Sequence, residues 1–176
     1  MSGGRLRPMV VSAVMAALAL VLPVAFHAVG LGSKFLPMLL PLLLNGFLVP
    51  WGWAVGTGLM VPWISALATG MPPLYPPVAA VMSVEGAVLG GIAALIYGRG
   101  RRSVWLALIP AVLAGRAVSF GLTWALAQAF GLPAALASVA KALEGLPGVA
   151  LQLAVIPVVL RALSRRRSVL LEEGGD

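Results

Sequence analysis

The sequence has no cysteine, one histidine and few charged residues. Without cysteine the chain can form no disulfide and no thiolate metal or redox site. With His27 as the single histidine, a multi-histidine metal centre is also excluded. Charged residues make up 10% of the 176 residues, whereas soluble domains contain roughly a quarter. Since 61% of the residues are hydrophobic and the mean hydropathy is +1.05, the composition excludes a water-soluble globular enzyme.

Sequence motifs of the common enzyme classes are also missing. The chain has no phosphate-binding loop of the Walker type, so it cannot hydrolyse ATP unaided. It has neither a Gly-x-Ser-x-Gly elbow nor a His-Glu-x-x-His helix. These absences favour a protein that binds a ligand, without catalysis and without a cofactor or metal.

Basic residues are concentrated in three clusters that border long apolar runs. Nine of the 12 lysines and arginines belong to them: Arg5, Arg7, Arg99, Arg101, Arg102, Arg161, Arg165, Arg166 and Arg167. Such clusters mark the cytoplasmic ends of membrane spans. The formal net charge of +7 is therefore interpreted as a signal of membrane orientation, in contact with lipid headgroups, and not as a nucleic-acid interface.

The apolar runs predict six membrane-spanning helices, because roughly 20 residues suffice to cross a bilayer. The expected spans are about Met9–Ala28, Phe35–Val49, Trp51–Ala68, Pro76–Gly98, Val104–Phe130 and a sixth that ends near Leu163. Six spans place all three arginine clusters on one side, whereas the opposite loops hold only Lys34. We therefore predict an all-α, multi-pass bundle in the cell (plasma) membrane with both termini cytoplasmic. Residues 1–8 and 164–176 are predicted cytoplasmic tails, and residues 9–163 a membrane domain that binds substrate.

The sixth region permits two interpretations. Residues 133–163 are longer than one span requires, and Lys141 and Glu144 interrupt them. We expect Pro147–Leu163 to span and Ala134–Glu144 to form an outer helix or lid, while one long tilted helix is the alternative.

Two ionisable residues fall inside predicted spans, where charge is costly and usually functional. Glu85 lies close to the midplane on the fourth span, and Arg116 lies somewhat deeper on the fifth. Because a long arginine side chain can bridge this gap, we predict that they form an ion pair. The pair could lock two helices together, contact a ligand, or do both. Asn45 and Gln152 are uncharged polar residues at depth, which could contact a ligand or form the more common hydrogen bond between helices.

Small residues recur at four-residue spacing on three spans, which allows close helix approach. The pairs are Ala13 with Ala17 and Ser12 with Ala16 on the first span, Gly52 with Gly56 on the third, and Gly86 with Gly90 on the fourth. We expect the glycines to pack inside the bundle. The first span begins at the cytoplasmic face, so its stripe could dock a partner.

An outer loop between the third and fourth spans contains four prolines in nine residues, Thr69–Pro77. Proline stiffens a loop and removes N–H donors. Because the loop also carries Met71 and Tyr75, we interpret it as a shaped cover over a pocket.

At this point the chain resembles the substrate-binding S components of energy-coupling factor (ECF) vitamin transporters. The resemblance rests on Phe35–Phe47, Thr69–Pro76, Met82–Gly91 and the Ala13-xxx-Ala17 stripe. It implies a six-helix bundle that binds a vitamin near its outer face. It further implies docking through Ala13 and Ala17 onto a transmembrane T component, with two cytoplasmic ATPases that drive uptake. The loop from Gly70 through Met71, Pro72, Pro73 and Leu74 to Tyr75 would gate the pocket.

The predicted site combines apolar, aromatic and charged side chains from the outer halves of the helices. Such a mixture suits a flat heterocycle that carries a carboxylate or phosphate. Several B vitamins fit, and the Gly-Met-Pro-Pro loop favours a cobalamin precursor such as α-ribazole or a related heterocycle. The candidate substrate-binding residues are His27, Lys34, Met38, Asn45, Trp63, Met71, Tyr75, Glu85, Arg116, Trp124 and Gln128.

Two other classes of function compete with this interpretation. A stand-alone solute transporter or channel would need no ATPase, but the first and last three spans show no clear internal similarity. An intramembrane enzyme would use Glu85, Arg116 and His27, yet His27 is predicted at the outer rim, well above Glu85.

Overall fold

The computed structural model describes residues 3–28, 30–75, 77–98, 103–133 and 143–173, and these residues form helices and short connections without any strand. This confirms the all-α class, with six helices of ten residues or more. In chain order the helices are α1 (Gly3–Ala28), α2 (Gly32–Phe35), α3 (Leu39–Leu48), α4 (Trp51–Thr69), α5 (Val78–Gly98), α6 (Val104–Phe130) and α7 (Leu146–Glu173).

Among the described residues, four helices are long and apolar enough to cross a membrane. They are Gly4–Ala28, Val78–Gly98, Val104–Phe130 and Leu146–Arg165, which belong to α1, α5, α6 and α7. The 19-residue α4 and the 10-residue α3 are not among them. Length and composition thus support four of the six predicted spans.

The second predicted span is wrong as a continuous helix. Helix α2 ends at Phe35, and Leu36 has a left-handed backbone with φ 49°. Pro37 follows, and proline disfavours a helical conformation in the residue before it. Helix α3 therefore begins only at Leu39, and its 10 residues extend about 15 Å, half the thickness of a hydrocarbon core.

Two terminal helices are longer than predicted. Helix α1 begins at Gly3, six residues before the predicted start at Met9, although Pro8 lies within it. Helix α7 begins one residue before the predicted Pro147 and continues to Glu173, beyond the predicted end at Leu163. Parts of both predicted tails are consequently helical. The predicted outer helix or lid, Ala134–Glu144, falls largely on residues 134–142. These residues, Lys141 among them, lie outside the described part of the chain.

Helix α5 occupies the centre of the bundle and packs against α3, α4 and α6. In its membrane-capable segment, 61% of the residues of the most apolar window are buried, whereas the corresponding share in α1 is 17%. Helix α1 packs on α3 and α4 from the periphery, and α7 packs on α2, α3 and α6. The core is formed by apolar side chains around α3, among them Leu39, Leu42, Leu43, Leu89, Leu108 and Ile156.

Glycines allow α5 to approach its neighbours closely. A Cβ at Gly58 on α4 would lie 2.5 Å from the backbone nitrogen of Ala87, and one at Gly86 would lie 3.2 Å from the carbonyl oxygen of Gly58. The predicted packing of Gly86 and Gly90 is confirmed. The prediction for Gly52 and Gly56 is wrong, because a Cβ at either position would meet no atom within 4 Å.

Candidate functional site

Glu85 of α5 and Arg116 of α6 form an ion pair through Glu85 Oε1 and an Nη atom of Arg116. The Glu85 side chain is 3% exposed and that of Arg116 is 27% exposed. The pair is the one the sequence predicts. Since ionisable residues at this depth face a protein interior or a water-filled space, the partly open Arg116 is the accessible half of the pair.

Local packing explains why the two charges meet. Gly115 lies next to Arg116, and a Cβ there would come within 2.7 Å of the Leu89 side chain. Leu89 is one helical turn beyond Glu85 on α5. The missing side chain at Gly115 therefore lets α6 approach the face of α5 that carries the carboxylate. Glu85 precedes the end of α5 at Gly98 by 13 residues and Arg116 follows the start of α6 by 12, so their depths match.

Asn45 and Met38 lie inside the bundle. Met38 is 3% exposed and Asn45 is fully buried. The Ser12 hydroxyl donates to Asn45 Oδ1 at 3.4 Å and accepts from Asn45 Nδ2 at 3.3 Å. Of the two roles that the sequence left open for Asn45, the structure shows the hydrogen bond between helices.

His27 lies near the C-terminal end of α1, next to α2. Its ring packs so closely on Gly32 that a Cβ at that glycine would overlap it. The Nδ1–H donates to the carbonyl oxygen of Pro23 at 2.7 Å, so this nitrogen is engaged within α1 itself. Lys34 belongs to α2, but its side chain lies outside the described residues.

The proline-rich loop is anchored to the end of α4. Gly70 ends the helix with φ 73°, and its N–H donates to Ala66. The Ser65 hydroxyl donates to the carbonyl oxygen of Met71 at 2.6 Å, and the Met71 N–H donates to Thr69 Oγ1 at 3.3 Å. The first residues of the loop are thus held against the end of α4.

In this loop Pro72 is buried and Pro73 is half-buried, while Met71, Leu74 and Tyr75 are exposed. Tyr75 has the largest exposed fraction, 71%. This arrangement leaves apolar side chains free to contact a ligand or the bilayer.

Trp63, Trp124 and Gln128 lie on exposed helix faces and are not gathered around the ion pair. Trp63 on α4 is 43% exposed and Trp124 on α6 is 55% exposed. Trp124 and Gln128 follow Arg116 along α6 by about 12 and 18 Å respectively. The predicted ligand contacts of Trp124 and Gln128 therefore belong to a different level of the bundle from Glu85.

Apart from the paired atoms of Glu85 and Arg116, two buried side-chain atoms of the described residues lack a hydrogen-bond partner: Ser83 Oγ on α5 and Gln152 Nε2 on α7. Both residues are 2% exposed. An unpartnered polar atom away from water is costly, which makes these positions candidates for ligand contact. Gln152 is a candidate from the sequence alone because it is a polar residue deep within a predicted span. Ser83 was not among the residues selected from the sequence.

The small residues of α1 face two directions. Ser12 is buried and Ala16 half-buried, whereas Ala13 and Ala17 are exposed. Around them α1 exposes large apolar side chains, including Val10, Val14 and Leu18. The Ala13–Ala17 stripe is therefore a shallow strip on an outward apolar face.

Comparison with known protein families identifies the class to which this architecture belongs. Residues 7–161 match the model of the family described as ECF transporter, substrate-specific component. The chain therefore belongs to this family. No curated protein and no solved structure matches the sequence.

Membership defines the general role. The chain is a membrane protein and a substrate-specific subunit of an ECF transporter, a transporter component and not an enzyme. ECF substrate-specific components bind small molecules and work with a T component and ATPases.

Proposed function

We propose that the chain binds a vitamin or vitamin precursor at its outer face and delivers it to an ATP-driven importer in the plasma membrane. The observation that carries this proposal is the family match over residues 7–161. The buried Glu85–Arg116 pair supports it, because a charged pair inside an apolar bundle costs free energy that a purely structural contact does not require.

The proposed orientation places both termini and the α5–α6 connection in the cytoplasm. All three arginine clusters then lie on the cytoplasmic side, as the positive-inside rule requires. The ends of α4 and α6 at Gly70 and Gly131 then face outward together with the proline-rich loop.

The proposed substrate is a flat heterocycle that carries polar groups, such as the hydroxyls of a nucleoside or a carboxylate or phosphate. Arg116 retains N–H donors beyond its contact with Glu85, and these suit a carboxylate or phosphate. Gln152 Nε2 and Ser83 Oγ offer further hydrogen bonds from buried positions. The outer rim adds further predicted site residues: His27, Lys34, Met71, Tyr75, Trp124 and Gln128. A cobalamin precursor such as α-ribazole or a related heterocycle is the preferred member of this class.

The remaining assignments concern gating and assembly. We assign the gate to Gly70–Tyr75, whose start is held by Ser65 while its tip exposes Leu74 and Tyr75. We assign docking on the T component to Ala13 and Ala17, since both are exposed on the peripheral helix α1.

Native mass spectrometry of the gently purified full chain tests the substrate assignment. A retained small molecule should add one defined mass, which tandem fragmentation identifies as a flat heterocycle of the vitamin or vitamin-precursor class. Gentle heating in detergent should release the bound molecule. The chain without it should then unfold at a lower temperature than the chain that retains it. If no small molecule is retained and none of the B vitamins or their precursors raises the unfolding temperature, the assignment is wrong.

A bulky residue on the small stripe tests the docking assignment. Ala13→Trp should abolish co-purification of the T component and ATPases, because the indole holds the helices apart. Leu18→Trp is the matched control, since Leu18 is 41% exposed on another side of α1. The control should assemble normally. Intact assembly in Ala13→Trp, or equal loss in both variants, would contradict docking through the stripe.

A further inference from the structure

The hydrogen-bonded pair of Ser12 and Asn45 lies between α1 and α3, close to the strip assigned to docking. Ser12 is 5% exposed and Asn45 is fully buried. The two contacts, 3.3 and 3.4 Å, join the hydroxyl to both polar atoms of the amide. The pair satisfies groups that would be costly to bury alone in lipid.

Around Ser12 the other inward contacts of α1 are apolar, and its tight contact with α2 at His27 lies about four helical turns away. Its membrane-capable segment is 17% buried, and its inward stripe consists of Ala19 with partly buried Met15, Ala16 and Leu20. Apolar packing is not directional, so a helix held only by such a stripe can slide or rotate. A hydrogen bond requires a specific distance and angle, so it selects one position.

Asn45 is a fixed reference point for that contact. The adjacent Gly46 packs against α5, where a Cβ would overlap the carbonyl oxygen of Gly90. Helix α3 is also enclosed by α4 and α7. The α3 backbone next to Asn45 is thereby packed against α5, the helix that also carries Glu85.

We infer that the Ser12–Asn45 hydrogen bond sets the axial register of α1 against the bundle and so positions the Ala13–Ala17 strip. Ala13 follows Ser12 by one residue, a rotation of about 100° around the helix. A fixed Ser12 therefore determines both the height and the direction of the neighbouring strip. Ser12 and Asn45 are positioning residues, and the consequence for assembly rests on the docking role proposed above.

The natural absence of cysteine allows a direct measurement of register in the full chain. Nitroxide labels at Val14→Cys on α1 and Leu113→Cys on α6 occupy exposed positions on two different helices, 50% and 64% exposed. Electron-electron double resonance should give one narrow distance distribution. In Ser12→Ala, and in the near-isosteric Asn45→Leu, the distribution should shift or broaden by about 1.5 Å, the rise of one residue, or more.

Two variants separate register from general stability. Ser12→Thr keeps the hydroxyl and should retain the narrow distribution. Leu20→Ala removes an apolar contact of the same stripe, so it should lower the unfolding temperature without shifting the distance. An unchanged distribution in both Ser12→Ala and Asn45→Leu would overturn the inference, as would an equal shift in Leu20→Ala.

Assembly provides the second readout. Ser12→Ala should weaken binding to the T component by about three- to tenfold, the equivalent of one interhelical hydrogen bond, while ligand binding stays within about twofold. If Ala13→Trp assembles normally, the docking role fails, yet the distance measurement still decides whether Ser12 and Asn45 set the register. A shifted distance with unchanged assembly would contradict the consequence for docking alone.

Discussion

Glu85 and Arg116 are the residues for which sequence alone was most informative. Each is an isolated ionisable group within an apolar run, so each needs a partner, and helix rise places them close enough in depth for a long arginine side chain to bridge. Their pairing could therefore be predicted. The bond between Ser12 and Asn45 could not, because serine and asparagine have many alternative partners and neither helix's rotation is known from the sequence.

Removing one charge should be worse than removing both. Glu85→Leu or Arg116→Leu leaves the other charge buried, which should lower the free energy of unfolding by about 3–5 kcal/mol. The double variant should lose less than either single variant, since no unpaired charge remains. Thermal unfolding in detergent measures all three, and an additive loss in the double variant would contradict a direct pair.

The helices show which boundaries a sequence pattern determines. Four-residue spacing indicated small residues at helix contacts, but it gave no direction. On α4 the packed glycine is Gly58, whereas Gly52 and Gly56 face open space. Similarly, the apolar run Phe35–Val49 does not by itself predict the helix break at Leu36, because leucine normally continues a helix. Only the following Pro37 indicates the break.

Adding a methyl group should have opposite effects on the two kinds of glycine. Gly58→Ala forces a Cβ to within 2.5 Å of the α5 backbone, so it should lower the free energy of unfolding by about 1–3 kcal/mol. Gly56→Ala meets no atom within 4 Å and should be neutral or stabilising by up to about 1 kcal/mol. Unfolding curves of the two variants measure both changes. Equal changes in the free energy of unfolding would contradict the α4–α5 packing.

The molecule as a whole combines an enclosed core around α3 and α5 with a peripheral, outward apolar helix, α1. The all-helical class and four of the spans followed from hydropathy. Substrate chemistry could not be derived in the same way, because the candidate residues are distributed between a buried pair and an exposed rim. Orientation rests on the arginine clusters.

Cysteine labelling in whole cells should confirm the orientation. Ser103→Cys, beside the central arginine cluster, should react with an impermeant maleimide only after the cells are permeabilised. Leu74→Cys, exposed in the proline-rich loop, should react in intact cells. The reverse pattern would mean that the loop lies in the cytoplasm and cannot receive an external solute.

ATP-dependent uptake in proteoliposomes tests the central claim most directly. The native ligand, identified by mass spectrometry, would be offered to vesicles that contain this chain alone or together with its T component and ATPases. We expect accumulation only with the full assembly and only with ATP on the ATPase side. Accumulation by the chain alone, equal with and without ATP, would show a stand-alone transporter and contradict its role as the binding subunit of an importer.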